Sequence, residues 1–201
     1  LINEYIQDCE VIQGGQLSTV PGLDGLERLV INEEDYEAFY TSGGIGALLH
    51  MAPPSVKSMD YKTLRYPGHC QAMRFLLQNL NLQAKPELMI ALLKHALEPT
   101  LEDCVMIVAK VTGLKNNQTH SAEFLGRYLP YQNWGETFTA LQMTTASSLC
   151  VVLDWVLSMD NIPKGFLVQE EIGLERFMHN RFGQYYNTEN QFANIKLNQG
   201  V

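Results

Sequence analysis

The segment Asp60-Tyr-Lys-Thr-Leu-Arg-Tyr-Pro-Gly-His-Cys70 is the most informative part of this chain of 201 residues. Alternating side chains predict a long β-strand over residues 56–66, with Thr63 and Arg65 on one face and Leu64 on the other. The Pro-Gly pair that follows ends the strand beside Arg65. The guanidinium of an arginine presents a rigid fork that binds a carboxylate through two parallel hydrogen bonds. The segment therefore predicts a candidate ligand site at the end of a strand.

Two interpretations of Arg65 remain open on the residues alone. In one, its guanidinium binds the carboxylate of a ligand, and each charge-assisted hydrogen bond contributes about 1.5–3 kcal/mol. In the other, it pairs with a structural acid such as Glu37. His69, which follows Gly68 at the start of the next predicted helix, also has two interpretations. It donates to a ligand or, as we prefer, it caps that helix.

A second candidate site lies at Thr41-Ser42-Gly43-Gly44, where a strand predicted over 36–41 ends. The hydroxyl groups and bare amides of this segment offer hydrogen bonds to a carboxylate or an amine, and paired glycines allow a close backbone approach. An ordinary turn is the simpler interpretation of the same residues. Ser42 is not the nucleophile of a Gly-x-Ser-x-Gly elbow, because Tyr40 stands where the first glycine is required.

The other predicted elements come as groups of strands with helices between them. Turns at Gly14-Gly15 and over 32–35 predict hairpins between strands 10–12 and 17–20 and between strands 26–31 and 36–41. Further strands are expected over 103–112, 122–129 and 165–168, and the first is expected to be central because it is apolar on both faces. Helices are expected over 73–80, from Pro86, over 139–157 and over 174–185. This order predicts an α/β (α+β) domain, a mixed β-sheet with helices packed on one face.

Two further segments bear on cofactor and membrane roles. The run Gly44-Ile-Gly46-Ala-Leu-Leu49 lacks the third glycine of a dinucleotide fingerprint, so we expect neither a complete Rossmann domain nor cofactor-binding residues. The apolar window 149–157 has nine residues, whereas a membrane span needs about 20, so we expect a buried core helix there.

The composition is that of an acidic folded protein. The chain has 14 Lys and Arg against 22 Asp and Glu, a net charge of −8, which disfavours nucleic acid and anionic membranes as partners. Five histidines and four cysteines show no metal-ligand spacing, so no metal site is expected.

No Ser-His-Asp or Cys-His set can be assembled, and the catalytic residues stay unassigned. The start has no signal peptide and no Cys-x-x-Cys occurs, so we expect a cytoplasmic protein with reduced thiols.

Two motifs resemble those of one family. The segment Tyr36-Glu-Ala-Phe-Tyr-Thr-Ser-Gly-Gly44 and the string Tyr-Lys-Thr-Leu-Arg-Tyr-Pro-Gly-His of residues 61–69 are similar to the saccharopine dehydrogenase and lysine 6-dehydrogenase family. The second string is long and specific, and looser matches extend the resemblance over residues 1–186. The resemblance implies a C-terminal domain like that of glyceraldehyde-3-phosphate dehydrogenase over 1–186, for substrate binding, catalysis and dimerisation. A polar tail follows over 187–201.

The resemblance also implies an activity for the full-length protein. It would be a cytoplasmic oxidoreductase of lysine metabolism that transfers a hydride at a C–N bond through an imine. An N-terminal dinucleotide-binding domain of the same protein would hold NAD or NADP, and none is expected on this chain. The start without Met agrees with an excised C-terminal domain that is inactive alone. The implied partners are a small amino-acid substrate and a second copy in a homodimer. The alternative is a module that kept the scaffold for ligand binding or oligomerisation without catalysis.

The substrate-binding residues implied by the resemblance fall in the two candidate sites. Thr63, Leu64 and Arg65 match the substrate-contacting Thr-Leu-Arg of the family, with Arg65 on a carboxylate, Thr63 acting by its hydroxyl and Leu64 by its backbone. Where saccharopine-forming reductases have Asn-Arg-Asp-Ser, this chain has residues 41–44 without an arginine. The substrate then has fewer carboxylates than saccharopine, as lysine does, or another residue compensates.

Overall fold

The computed structural model describes residues 2–133, 135–162, 164–187 and 195–197. These residues divide into two compact units, and each is described here by itself. Unit 1 contains the described residues of 1–98 together with the strand 195–197, and unit 2 contains those of 99–193. The segment 1–186, expected to be one domain, is therefore built from two centres of packing.

The described chain contains short strands and helices in alternating groups. The strands are β1 (Cys9–Gln13), β2 (Gln16–Val20), β3 (Glu27–Ile31), β4 (Glu34–Tyr40), β5 (Ser58–Met59), β6 (Lys62–Arg65), β7 (Val105–Lys115), β8 (Gln118–Tyr128), β9 (Tyr131–Asn133), β10 (Glu136–Phe138) and β11 (Ile195–Leu197). The α-helices are α1 (Ile2–Ile6), α2 (Leu48–Met51), α3 (His69–Arg74), α4 (Pro86–Ala96), α5 (Ala140–Leu157) and α6 (Leu174–His179). Helix α3 continues as a π-helix over Phe75–Asn79, and 3-10 turns lie at Leu82–Ala84, Gln169–Ile172 and Gly183–Tyr186.

The α+β class predicted from the sequence is confirmed. The pairings among described strands are all antiparallel and form four small sheets, rather than one mixed sheet. Unit 1 has two of them, with strand orders β2-β1-β5 and β11-β3-β4-β6. The hairpin predicted at Gly14-Gly15 is confirmed. The β3–β4 turn is tighter than predicted, because Asn32 and Glu33 both adopt positive φ (51° and 68°) and close a two-residue turn.

The long strand predicted over 56–66 is wrong, because the chain changes sheet in its middle. Strand β5 pairs with β1, whereas β6 pairs with β4. The break falls at Asp60 and Tyr61, and the ring of Tyr61 lies against Gly44, where any Cβ would collide with it. Strand alternation predicts faces but not the partner of each strand, so the sequence pattern did not reveal this break.

The core of unit 1 lies between the β4 face and three helices. Its buried residues come from α1, β4, α3 with its π-helical extension, α4 and the loop before β3: Ile2, Tyr5, Leu23, Phe39, Cys70, Met73, Leu77 and Met89. Phe39 of β4 is completely buried, and burying a side chain of this size contributes about 1.5–3 kcal/mol. This core fixes β6 and the start of α3, which carry the main candidate site.

Unit 2 contains a two-stranded ribbon, β7–β8, closed by a turn in which Asn116 and Asn117 have positive φ (54° and 59°). The prediction of a central strand over 103–112 is wrong, because β7 pairs only with β8 within the described ranges and much of it is exposed. The strand predicted over 165–168 is not formed either; a 3-10 turn at Gln169–Ile172 follows that segment. An apolar run shows that a segment avoids water but does not say how many strands flank it.

Helix α5 begins as its sequence predicts. Thr139 accepts a hydrogen bond from the Gln142 N–H in a capping box, and the carboxylate of Asp103 accepts from the N–H groups of Ala140 and Leu141 at 2.6 and 2.9 Å. By length and composition alone the helix is apolar enough to cross a membrane, with a mean hydropathy of 1.4 and 22% of its residues buried. One such helix is a weak indication of a membrane span.

Over 149–157, where a buried core helix was expected, the helix is buried on one side only. Val151 and Trp155 are buried on one side of α5, but the opposite side carries leucines that are each more than half exposed: Leu149, Leu153 and Leu157. The predicted polar tail over 187–201 lies mostly outside the described residues. Its Ile195–Leu197 is strand β11, which pairs with β3 at the edge of a sheet.

Candidate functional site

The candidate site is built on the antiparallel pair β4–β6. Glu37 lies opposite Arg65 and Phe39 lies opposite Thr63, and directly opposed residues of an antiparallel pair point to the same face. Thr63 and Arg65 therefore share one face, as strand alternation predicts, and Leu64 lies on the other. That shared face is the one covered by the core of unit 1, and Thr63 is only 8% exposed there.

Arg65 is half-buried and is held by two hydrogen bonds. Its Nε donates to the hydroxyl of Tyr5 at 3.2 Å, and its Nη1 donates to the backbone carbonyl of Leu64 at 2.7 Å. In the part of the chain that the structure describes, Arg65 has no ion pair and its Nη2 makes no hydrogen bond. The guanidinium thus has a fixed position and retains N–H groups that can bind an anion.

The structural alternative, an ion pair between Arg65 and Glu37, is wrong. The buried carboxylate of Glu37 instead accepts from the backbone N–H groups of Gly68 at 2.9 Å and of Cys70 at 2.5 Å. These N–H groups lie at the first turn of α3, where a negative charge is favourable. The acid next to Arg65 is therefore engaged by the helix.

The preference for His69 as a helix cap is also wrong. No side chain of the helix terminus itself caps α3, and Glu37 from β4 takes that role across the fold. The imidazole of His69 lies instead beside Tyr5, with Nε2 3.2 Å from the Tyr5 hydroxyl, and its ring stacks on Phe39 at 6.1 Å. Helix start signals describe local sequence and do not detect an acid that arrives from a distant strand.

Sequence reasoning missed Tyr5, which is 2% exposed and contacts both Arg65 and His69. The spacing of Ile2 and Tyr5 indicates a buried face of α1, but not which strand lies under it. Burial raises the pKa of the Tyr5 hydroxyl, and the nearby positive charge of Arg65 opposes that shift. Burial and then the charge of Arg65 lower the pKa of His69, whereas Glu37 acts in the opposite direction.

The second candidate segment lies at the other end of the β4–β6 ladder. Thr41 is buried, the Ser42 N–H donates to the Glu4 carbonyl at 3.0 Å, and the Ser42 hydroxyl donates to the side chain of Gln7 at 3.3 Å. Gly43 has φ of 86° and open space where a Cβ would stand. Thr41 lies four positions along the chain from Glu37, the residue opposite Arg65, which corresponds to about 13 Å of extended strand. The structure therefore does not bring the two segments around one carboxylate.

The family model for the saccharopine dehydrogenase C-terminal domain matches residues 1–182. The chain belongs to this family. The resemblance seen in the 36–44 and 61–69 motifs is thereby confirmed.

As a saccharopine dehydrogenase C-terminal domain, the chain is related to amino-acid oxidoreductases. The matched range includes both candidate segments as well as Tyr5 and His69. It also includes α5 and α6 and ends before the last 3-10 turn, Gly183–Tyr186. The match to the family thus covers the described residues of 1–98 in unit 1 and most of the described part of unit 2.

Proposed function

We propose that this saccharopine dehydrogenase C-terminal domain binds the amino-acid substrate of an NAD(P)-dependent oxidoreductase through the guanidinium of Arg65. The observation that carries the proposal is the state of that guanidinium. It is half-buried and positioned by Tyr5 and by the Leu64 carbonyl, with Nη2 unbonded and without an acid partner among the described residues. A cation held in this way favours an anionic ligand, because half-burial weakens the competition from water.

The chemistry of Arg65 defines the substrate class. Its remaining N–H groups match a carboxylate, so the substrate is an amino acid bound by its carboxylate end, with Thr63 next to it on the same face. Leu64 contributes through its carbonyl, which already orients the guanidinium. Thr41, Ser42 and Gly43 are too far away to share that carboxylate, and we assign them to the other end of an extended substrate.

The nicotinamide cofactor would be held by an N-terminal dinucleotide-binding domain of the same protein. The glycine run of residues 44–49 does not fit the pyrophosphate of a dinucleotide. The Tyr61 ring fills the space beside Gly44, and the run of residues 44–49 leads into a helix of only four residues, α2. A pyrophosphate site needs open glycine backbone before a longer helix. The reaction we propose for the whole protein is hydride transfer at a C–N bond of lysine metabolism.

Two measurements test this proposal. The coding sequence upstream of Leu1 should encode a strand followed by Gly-x-Gly-x-x-Gly, and the longer protein should reduce NAD or NADP in the presence of L-lysine or saccharopine. Arg65→Met in that protein should raise KM for the amino acid about 10-fold or more, since a charge-assisted hydrogen bond contributes about 1.5–3 kcal/mol. Unchanged turnover and KM in Arg65→Met would contradict the proposal. An upstream sequence without the fingerprint, together with L-lysine binding, would favour the non-catalytic binding module.

We also propose that the protein is a cytoplasmic homodimer that associates through the exposed side of α5. The exposed leucines of that side support it, together with the dimerisation that the family resemblance implies. Sedimentation equilibrium should show a dimer that Leu149→Lys combined with Leu153→Lys dissociates. Leu88→Lys is the control, because Leu88 of α4 is an exposed leucine, with the same exposed fraction as Leu153. A monomeric wild type, or a dimer that the double variant leaves intact, would contradict this part.

A further inference from the structure

Three polar side chains from three different elements form a continuous row inside unit 1. Arg65 of β6 donates from Nε to the hydroxyl of Tyr5 on α1 at 3.2 Å. The same hydroxyl lies 3.2 Å from Nε2 of His69 on α3. The aromatic rings of Tyr5 and His69 meet edge to face at 5.8 Å, and both pack against Phe39.

One arrangement of the protons gives every polar group of this row a partner. An arginine Nε–H is always a donor, so the Tyr5 oxygen accepts from Arg65. Within the described ranges the Tyr5 hydroxyl has no acceptor other than His69, so it donates its own proton to Nε2. Nε2 can accept only when the imidazole is neutral and carries its proton on Nδ1. The position of Arg65 is therefore linked to the protonation state of His69.

We propose that Tyr5 and His69 are positioning residues of the Arg65 site and that the neutral imidazole of His69 is the form that orients the guanidinium toward a ligand carboxylate. This inference rests on the proposed function of Arg65. Tyr5 fixes the Nε edge of the guanidinium and the Leu64 carbonyl fixes one N–H of Nη1. These two contacts use Nε–H and one N–H of Nη1, so the two N–H groups of Nη2 and the second one of Nη1 have no partner among the described residues.

Protonation of His69 breaks this arrangement. The groups that face the imidazole are the Tyr5 hydroxyl from α1, the Arg65 guanidinium from β6 and the Glu37 carboxylate from β4. An Nε2–H would donate to the Tyr5 oxygen, and the proton of Tyr5 would then lose its acceptor while two cations stand close together. Burial and Arg65 lower the pKa of His69 below its ordinary value of 6.5, so the row is intact at neutral pH. The affinity for a carboxylate should therefore fall as the pH drops below the lowered pKa of His69 and the imidazole becomes protonated.

The test uses the whole chain and a pair of ligands that differ only in the carboxylate. L-lysine and L-lysinamide are titrated by calorimetry into the wild type, Tyr5→Phe, His69→Gln, His69→Leu and Arg65→Met. Tyr5→Phe keeps the ring and should bind L-lysine about 10-fold more weakly at pH 7, the loss expected for one hydrogen bond to a charged group. L-lysinamide should bind weakly to the wild type, and its affinity should be the same in every variant. Thermal unfolding of each variant checks that it is folded.

The two His69 variants separate positioning from packing. The amide oxygen of His69→Gln can accept from Tyr5 at every pH, so this variant should keep the affinity at pH 7 and lose the decrease at acid pH. The side chain of His69→Leu offers no acceptor, so this variant should bind L-lysine weakly at pH 7 and also at acid pH. NMR titration of His69 should give a pKa below 6.5 that rises in Arg65→Met, because the neighbouring cation is removed.

The outcomes distinguish this inference from the function on which it rests. Equal binding of L-lysine and L-lysinamide by the wild type contradicts the proposed function and the inference with it. If Arg65→Met loses affinity but Tyr5→Phe binds L-lysine like the wild type, the inference alone is overturned. An affinity that rises at acid pH also overturns it, because His69 would then act as a cation on the ligand.

Discussion

Two arginines of unit 1 reach backbone carbonyl groups, and their surroundings differ in one respect. Arg74 of α3 donates from Nη2 to the carbonyl of Leu23 and to the carboxylate of Asp24, both at 2.6 Å. Arg65 donates to a carbonyl and to a tyrosine hydroxyl, and the described residues offer it no acid. The charge of Arg74 is thus compensated within the fold, whereas that of Arg65 is not.

The difference arises from Glu37. It stands directly opposite Arg65 in the β4–β6 ladder, yet its carboxylate oxygens bind the first turn of α3. The carboxylate of Glu37 is therefore bound by the N-terminus of α3, although strand pairing places Glu37 opposite Arg65. An arginine whose neighbouring acid is engaged elsewhere is the better candidate for binding an external anion.

The largest expected effect is on stability, from Glu37→Ala. The substitution removes the acceptor of the Gly68 and Cys70 N–H groups; Gly68 is exposed, but Cys70 is buried, and a buried unsatisfied group costs about 1–3 kcal/mol. We therefore expect the free energy of unfolding, measured by urea denaturation, to fall by about 1–3 kcal/mol. A loss no greater than that of an exposed control such as Glu33→Ala would show that Glu37 does not hold α3.

The next effect separates the two arginines by ligand affinity. Arg65→Met should weaken L-lysine binding by about 10- to 100-fold, since at least one charge-assisted hydrogen bond is lost. Arg74→Met, its matched control in the same unit, should leave the affinity within about twofold of the wild type while lowering the thermal midpoint. Calorimetry on both variants checks this, and equal losses in the two would remove the distinction between them.

A smaller effect is expected from Asp24→Asn. The Arg74 and Asp24 side chains are 39% and 49% exposed, and ion pairs in such positions contribute about 0–1 kcal/mol. The free energy of unfolding should fall by no more than about 1 kcal/mol, and L-lysine affinity should not change. A change in affinity would mean that the Arg74 pair takes part in the ligand site.

The smallest effect concerns a third arginine, Arg181 of unit 2, which donates to Asp154 at 2.6 Å. Hydrogen bonds from Asn180 and Arg181 lower the pKa of Asp154 below its ordinary value of 3.8. A lowered pKa in the folded state means that the stabilisation is present above 3.8 and is lost as the pH falls further. The difference in unfolding free energy between the wild type and Asp154→Asn should therefore shrink below that pH. A difference that stays constant would contradict the pairing.

Local features of this fold were predictable from the sequence. The Gly14-Gly15 hairpin, the helix that begins at Pro86, the helix predicted over 139–157 and the shared face of Thr63 and Arg65 each depend on neighbouring residues. What the sequence did not reveal depends on distant ones. The strand over 56–66 breaks because its halves join different sheets, and the Tyr5–Arg65 contact joins residues 60 positions apart. The helix cap from Glu37 is likewise a tertiary contact, which no local pattern records.

The most direct test of the Arg65 site follows the Nε–H NMR signals of the arginines while L-lysine is added to the whole chain. We predict that the Arg65 signal, assigned with Arg65→Met, shifts and saturates with the ligand while the Arg74 signal stays in place, and that L-lysinamide moves neither. A titration in which the Arg65 signal does not move, or in which Arg74 moves in its place, would contradict the assignment of Arg65 as the carboxylate-binding residue.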